Sequence, residues 1–341
     1  MKKLLNTLYV QTQGVYLRQE GETVVAEKDG DILLRLPVHT LSGLVTFGNV
    51  MCSPFLLHLC AERGIAVSFL SEHGRFLARV EGPVSGNVLL RVAQMRAFED
   101  AARKGDIARS CVAGKVANHR ARLLRRMRDH GETAALRAAA DALADVLSRL
   151  RESPPDAARM RGLEGEAAAA YFAAFNDLLL ANRGAFSIAN RNRRPPTDPL
   201  NALLSFLYTL LAHDCRGACE AVGLDPQIGF LHELRSGRPS LALDLMEEFR
   251  APVADRLALT LVNRQQLSPK DFKTAESGAV QLSDDARKAV LLAWQQRKLE
   301  TVMHPFLGES VPVGLLPHVQ ALLLARHLRG DIDAYPPWMP K

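Results

Sequence analysis

Apolar and polar residues alternate at short period over the first quarter of the chain and at helical period beyond it. Gly14-Val15-Tyr16-Leu17-Arg18 and Thr23-Val24-Val25-Ala26 are β-branched or aromatic runs, and Gly21 and Asp29-Gly30 punctuate them as hairpin turns. Asp31-Ile32-Leu33-Leu34-Arg35-Leu36 ends at Pro37, which has no N–H to give a ladder. Leu44–Phe47, Ile65–Leu70 and Phe76–Val80 read as further strands. One helix interrupts them. Ser53 caps it, Pro54 suits its first position, Phe55, Leu56, Leu59 and Cys60 form its apolar face, and Gly64 closes it. Gly82-Pro83 and Ser85-Gly86-Asn87 mark a boundary.

After that boundary the pattern predicts helices. Leu89, Val92, Ala93 and Arg96 open one, Val112–Met127 carries another, and Ala134–Leu150 a third. Ser153-Pro154-Pro155-Asp156 is a break, followed by helical runs at 157–181, 199–222, 240–249, 284–303 and 316–328. The expected fold is α+β and multidomain: a small β-sandwich-like N-terminal domain (1–86), then a larger all-α C-terminal domain (87–341). Neither βαβ alternation nor a glycine-rich phosphate loop is present, which speaks against a nucleotide-hydrolysing fold.

Composition adds little until it is divided by segment. The chain has 341 residues, 48% of them hydrophobic, and a formal net charge of +6. That length suits two domains and is ample for a core. The five cysteines include no CxxC pair, so the reading is a reducing, cytoplasmic setting rather than a disulfide framework or a zinc knuckle. Cys215 and Cys219, one helical turn apart near His213, are expected to be buried small side chains. Lys2 and Lys3 precede no sustained apolar segment, and no run is long enough for a transmembrane helix, so no membrane partner is expected. Residues 1–86 and 161–341 are balanced in charge, and the whole excess lies in 87–160. There Arg120, Arg122, Arg125, Arg126 and Arg128 crowd together, with Lys115 and Arg109 just before them. The alternatives are a solvated helix face and a track for a nucleic-acid backbone.

Three stretches carry candidate chemistry. In Arg161-Gly162-Leu163-Glu164-Gly165-Glu166, Glu164 stands between two glycines near a helix start. There it suits a ligand approach, or simply complements the helix dipole. In Ile228-Gly229-Phe230-Leu231-His232-Glu233, His232 suits a metal ligand or base, and equally a surface or capping residue. In Ser240–Arg250, Leu241, Leu245 and Phe249 share one helical face, and Asp244, Glu247 and Glu248 another. A divalent cation would relieve that repulsion, and so would solvent or the nearby Arg238 and Arg250. Carboxylates with an imidazole suit Mg²⁺ or Mn²⁺, ions that serve phosphodiester chemistry. The residues alone therefore suggest a metal-dependent nuclease or strand transferase.

Taken in order, these stretches resemble a known family. Arg161-Gly162-Leu163-Glu164-Gly165 with Tyr171-Phe172, Asp198–Ser205, Gly223–His232 and Gly237–Arg250 are similar to the signature of CRISPR-associated endonuclease 1, the CRISPR adaptation integrase. The resemblance covers essentially the whole chain. It implies a metal triad at Glu164, His232 and Glu247, with Asp244 beside the metal or behind it. Glu166 and Glu248 are left as ordinary structural residues. The tail, with Glu300, His304-Pro305 and Tyr335-Pro336-Pro337-Trp338, looks nearest to type I-C members.

What the resemblance implies is insertion of foreign DNA fragments into the CRISPR array, by attack of a fragment 3′-hydroxyl on a repeat phosphodiester. Mg²⁺ or Mn²⁺ would be the cofactor. The implied partners are double-stranded and branched DNA, a second copy of the chain through the β domain, and a small ferredoxin-like dimer, the second CRISPR-associated protein. Lys115, Arg122, Arg125, Arg126 and Arg238 are the expected DNA contacts. The competing readings are a stand-alone metal-dependent nuclease on branched DNA and a non-catalytic DNA-binding scaffold.

Overall fold

Two four-stranded sheets and a helix make the first of two units, Met1–Gly86 and Asn87–Lys341. The computed structural model describes residues 6–72, 76–80, 88–192 and 195–340; Lys2, Lys3 and the Gly82–Asn87 boundary lie outside these residues. The elements of the first unit are β1 (Asn6–Val10), β2 (Tyr16–Glu20), β3 (Thr23–Lys28), β4 (Asp31–Pro37), β5 (Leu41–Phe47), β6 (Met51–Cys52), α1 (Pro54–Glu62), β7 (Ala66–Leu70) and β8 (Phe76–Val80). One sheet has the order β1-β5-β7-β8 and the other β4-β3-β2-β6. Between the paired Lys28 and Asp31, Asp29 and Gly30 take φ of 53° and 92°, the positive values that a type I′ turn requires.

Leu17, Val24, Leu41, Leu44, Leu56, Cys60 and Val67 form the core of this unit. The Ser53 side chain accepts the Leu56 N–H at the start of α1, as the cap pattern predicts. Phe55 differs from expectation. It sits one residue ahead of the Leu56–Leu59–Cys60 stripe and is 75% exposed. The strands β1 and β6 were not legible, the first because it carries polar residues and the second because it is two residues long.

The second unit is mostly helical. It runs through α2 (Val88–Glu99), α3 (Ala101–His130), α4 (Ala134–Glu152), α5 (Ala157–Ala173), α6 (Arg183–Phe186), α7 (Pro199–Val222), α8 (Ser240–Met246), α9 (Arg256–Asn263), α10 (Asp284–Leu299) and α11 (Leu316–Arg329). Two short hairpins depart from the all-α expectation: β9 (Phe272–Thr274) with β10 (Val280–Leu282), and β11 (Thr301–His304) with β12 (Glu309–Pro312). The run predicted as helix over 284–303 stops at Leu299, because Thr301-Val302 favour a strand and Pro305 forbids continuation. Likewise the 157–181 run leaves the α-helix at Ala173 for a 3₁₀ turn, Phe175–Leu178.

The central element is α3. Asp100 caps its start by accepting from the N–H groups of Ala102 and Arg103, and Gly131 ends it with φ 85°. Its middle is buried on nearly all sides, from Ile107 to Leu123. It packs against α4 and α5 and against the turn that follows α8. Gly105 permits the closest approach: a Cβ there would lie 1.9 Å from the Pro155 carbonyl oxygen. On α2 the buried face is Leu90, Gln94 and Ala97, while Leu89 and Val92 face outward. Among the described residues, no helix is long and apolar enough to cross a membrane.

Candidate functional site

Lys115 is a lone charge within the apolar run Cys111-Val112-Ala113-Gly114-Lys115-Val116-Ala117 of α3, and it is only 3% exposed. A buried ammonium needs anionic partners. It has two: Glu164 of α5, and Glu247, whose Oε2 is 2.7 Å away. Glu164 lies well inside α5 rather than near its start, and its side chain keeps 26% exposure. A Cβ on Gly162 or Gly165 would meet nothing within 4 Å, so the backbone on either side of Glu164 is open.

The three carboxylates after Ser240 are all buried, contrary to a solvated acidic face. They also part company. The α8 helix tightens into a 3₁₀ turn, Glu247–Phe249, and then widens into a π turn, Arg250–Asp255. Pro252 sits in that π turn, where its missing N–H and its ring disfavour the α spacing. As neighbours in a helical turn Glu247 and Glu248 point apart, Glu247 toward Lys115 and Glu248 toward Gln320 and Tyr335. Burial works to raise the Glu247 carboxyl, but the charges of Arg250 and Lys115 outweigh it and hold the group well below the usual carboxylate range. Arg250 reaches Glu247 Oε1 at 2.8 Å and stacks on the Tyr208 ring at 4.8 Å.

Asp244 is fully occupied. Its Oδ2 accepts from the backbone N–H groups of Phe230 (2.6 Å) and Leu231 (2.9 Å). Its Oδ1 accepts from the His232 N–H (2.9 Å) and lies 2.6 Å from the His232 ring Nδ1. A carboxylate has no proton to give, so Nδ1 donates and the neutral ring keeps its lone pair on Nε2. That Nε2 faces Glu247 Oε1 at 4.0 Å. Gly229 makes the close approach possible, since a Cβ would lie 2.8 Å from Asp244 Oδ2. The loop carrying His232 is held from both sides. Gln94 of α2 donates to the carbonyls of Asp225 and Ile228 and accepts the Asp225 N–H. Arg161 of α5 donates to the Leu231 carbonyl (3.2 Å) and pairs with Glu233 (2.9 Å).

Behind the site, buried Asp255 accepts from Tyr208 (2.7 Å) and Tyr171 (3.1 Å). Burial pushes its carboxyl up to about 6, more than the two hydroxyls and Arg250 lower it. His119, one turn after Lys115, stacks on Tyr171 at 3.9 Å between centroids, and burial keeps its imidazole neutral.

The structure thus brings Glu164, His232, Glu247 and, behind His232, Asp244 to one place. Two carboxylates and an imidazole Nε2 are the donors that a hard or borderline divalent ion takes. Between the carboxylates lies a cation already, the Lys115 ammonium. Among the described residues, no three His, Cys, Asp or Glu side chains stand close enough to hold a metal as they are.

Lys115 belongs to this centre rather than to an exposed basic track, because burial and two carboxylates engage it. Arg122 and Arg126 are half-buried and Arg125 is exposed; with Asp129 and His130 they line a cleft beside Leu178, Leu180 and Asn263. Arg238 is half-buried, near the turn that follows His232. Glu166 is exposed and paired with Arg149 at 2.7 Å. Glu248 accepts from Gln320 (2.8 Å), from the Trp338 N–H (2.6 Å) and from the Tyr335 hydroxyl. Gln94, Arg161 and Arg250 had no visible signal of a role in the sequence. Lys115 had one, an isolated charge inside an apolar helical run.

Known proteins share this arrangement of chain and fold. The profile of the family described as CRISPR associated protein Cas1 matches residues 8–296. The Rhodospirillum rubrum protein described as CRISPR-associated endonuclease Cas1 2 is 56% identical, over 100% of both chains. Among solved structures, a CAS1 protein from Thermotoga maritima superposes with a TM-score of 0.83 at 25% identity, covering 96% of this chain and 97% of that one. A casposase bound to integration product shares the fold, with a TM-score of 0.83 at 21% identity over 97% of this chain and 93% of its own. By sequence and by fold, this chain belongs to the CRISPR associated protein Cas1 family.

Proposed function

We propose that this chain is a metal-dependent DNA integrase, joining the 3′-hydroxyl of a short foreign DNA fragment to a phosphodiester of the CRISPR repeat. Membership of the family carries a nuclease or integrase role. The observation that supports the finer reading is the meeting of Glu164 and Glu247 on one ammonium, with His232 Nε2 4.0 Å from the other oxygen of Glu247, from segments far apart in the chain. Glu164, Glu247 and His232 would hold Mg²⁺ or Mn²⁺. That ion would polarise the scissile phosphate and lower the cost of deprotonating the attacking hydroxyl. Asp244 fixes the tautomer and direction of His232, and Arg250 neutralises the side of Glu247 that faces away from Lys115. Open backbone at Gly162 and Gly165 leaves room for a sugar–phosphate chain to reach Glu164.

DNA, double-stranded or branched, is the proposed substrate, with Arg122, Arg125, Arg126 and Arg238 against its backbone. The same reading assigns pairing of two copies to the first unit. Its edge strand β4 exposes Ile32 (48%), Leu33 (54%) and Leu34 (38%). It also assigns the second CRISPR-associated protein as partner and a type I-C origin to the chain.

The test is strand transfer of a labelled fragment into a repeat-bearing plasmid. Glu164→Ala, His232→Ala and Glu247→Ala are each expected to abolish product at unchanged circular dichroism. A folded variant that still joins the fragment at the parental rate would overturn the assignment. Running branched and linear duplexes in parallel separates integration from simple cleavage.

A further inference from the structure

Three features beyond the proposed chemistry invite explanation: the Arg122–Arg125–Arg126 cleft, the Glu248–Gln320–Tyr335 network, and the lysine inside the carboxylate pair. The lysine goes furthest. Without a cation between them, buried Glu247 and half-buried Glu164 would be two anions facing each other, an arrangement that costs stability. Here Lys115 lies between Glu164 and Glu247 and is 3% exposed. Its aliphatic stem rises from the buried middle of α3. Glu247 is already charge-matched on its other oxygen by Arg250 at 2.8 Å. The pair therefore needs no further cation to be stable, and His232 Nε2 is left at 4.0 Å from Glu247 Oε1 without closing on it.

We infer that Lys115 is the resident counter-cation of the Glu164–Glu247 pair, which a divalent metal must displace in order to bind. This rests on the reading of Glu164, His232 and Glu247 as metal ligands. Lys115 keeps the carboxylates in place without metal and sets the metal affinity of the free protein low. A divalent ion placed between Glu164 and Glu247 would stand where the ammonium now stands and be repelled by it, so the metal and the ammonium compete. The consequence is a protein that loads metal reluctantly unless another anion takes up the displaced ammonium. A DNA phosphate entering at the open side of Glu164 has the charge to do so.

The experiment is Mn²⁺ binding to the full chain, followed by the loss of the free-ion paramagnetic resonance signal, with and without a short duplex. Lys115→Met and Lys115→Gln are expected to bind Mn²⁺ on the order of tenfold more tightly than the parent in the absence of DNA. Lys115→Arg, which keeps the charge, is expected to stay as weak as the parent. Duplex DNA is expected to tighten Mn²⁺ binding in the parent and much less in Lys115→Met. Glu247→Ala is the control for the ligand reading: it should remove the site in every background. If Lys115→Met and Lys115→Gln bind Mn²⁺ no more tightly than the parent while Glu247→Ala abolishes binding, the inference on Lys115 fails and the ligand reading stands. If Glu247→Ala changes nothing, both fail. Lys115→Gln keeps a hydrogen-bonding group in the pair, so it serves where the methionine variant does not fold without metal.

Discussion

At the scale of single residues, Asp244 and Glu248 show how two carboxylates on one short segment come to opposite ends. Asp244 accepts four hydrogen bonds, three from backbone and one from His232. An amide has one acceptor oxygen and two donors, so Asp244→Asn must set an N–H against another N–H. It is expected to cost about 1–3 kcal/mol of stability and to slow strand transfer about 10–100-fold through loss of His232 orientation. Denaturant melts and initial rates read the two effects separately. Glu248 has donors enough, but burial dominates and lifts its carboxyl to about 8 from an ordinary 4.5. Between those values the folded chain keeps a proton that the unfolded chain has lost. Its contribution to stability therefore falls as pH rises through that window and levels off above it. Glu248→Gln, neutral throughout, is expected to show a flatter decline of Tm with pH than the parent. Parallel curves would mean that Glu248 is ionised in the fold.

At the scale of elements, α5 carries a cost that its own packing does not explain. Gly162 and Gly165 stand inside the helix, each destabilising it by roughly 0.5–1 kcal/mol relative to alanine. Neither is needed for packing, since an added Cβ would touch nothing. Gly162→Ala and Gly165→Ala are expected to raise Tm and to lower strand transfer, because the new methyl groups stand where DNA would reach Glu164. A rise in Tm with full activity would show that no substrate approaches there. By contrast, Gly105 and Gly229 are where chain segments touch, as their sub-van-der-Waals Cβ distances show. The turn after α8 is the other element that matters. Glu247 and Glu248 are consecutive in its 3₁₀ turn and so point apart, each to its own partners.

At the scale of the whole molecule, the net charge of +6 is distributed rather than uniform. The basic excess falls between residues 87 and 160, on α2 to α4 and their surroundings, and the Arg122–Arg125–Arg126 cleft is its densest point. If this cleft follows a DNA backbone, each arginine removed takes one phosphate contact with it. Arg125→Ala and Arg126→Ala are each expected to weaken duplex binding regardless of sequence. Each should also reduce the slope of log affinity against log salt by about one. Binding measured across a salt series decides this; an unchanged slope would return the pair to an ordinary helix face, where Arg125 already meets Asp129 at 3.3 Å.

Much of this was legible from sequence because it depends on near neighbours. The cap at Ser53, the Asp29-Gly30 turn and the change from strand to helix period follow from local backbone preference. The motifs around Glu164, His232 and Glu247 are likewise local strings, and they named the family. What Glu247 and Glu248 each meet was not legible, because Lys115 on one side and Gln320, Tyr335 and Trp338 on the other lie far away in the chain. Nor was the place of Lys115, which the count of charges put on a basic surface. Its ammonium is buried because α3 passes between α5 and the turn after α8, bringing three segments distant in the chain to one point. The sequence by itself determined the residue types, most of the elements and the family. Only the tertiary structure decided which charges meet, because burial and long-range packing, unlike propensity, are properties of the whole fold.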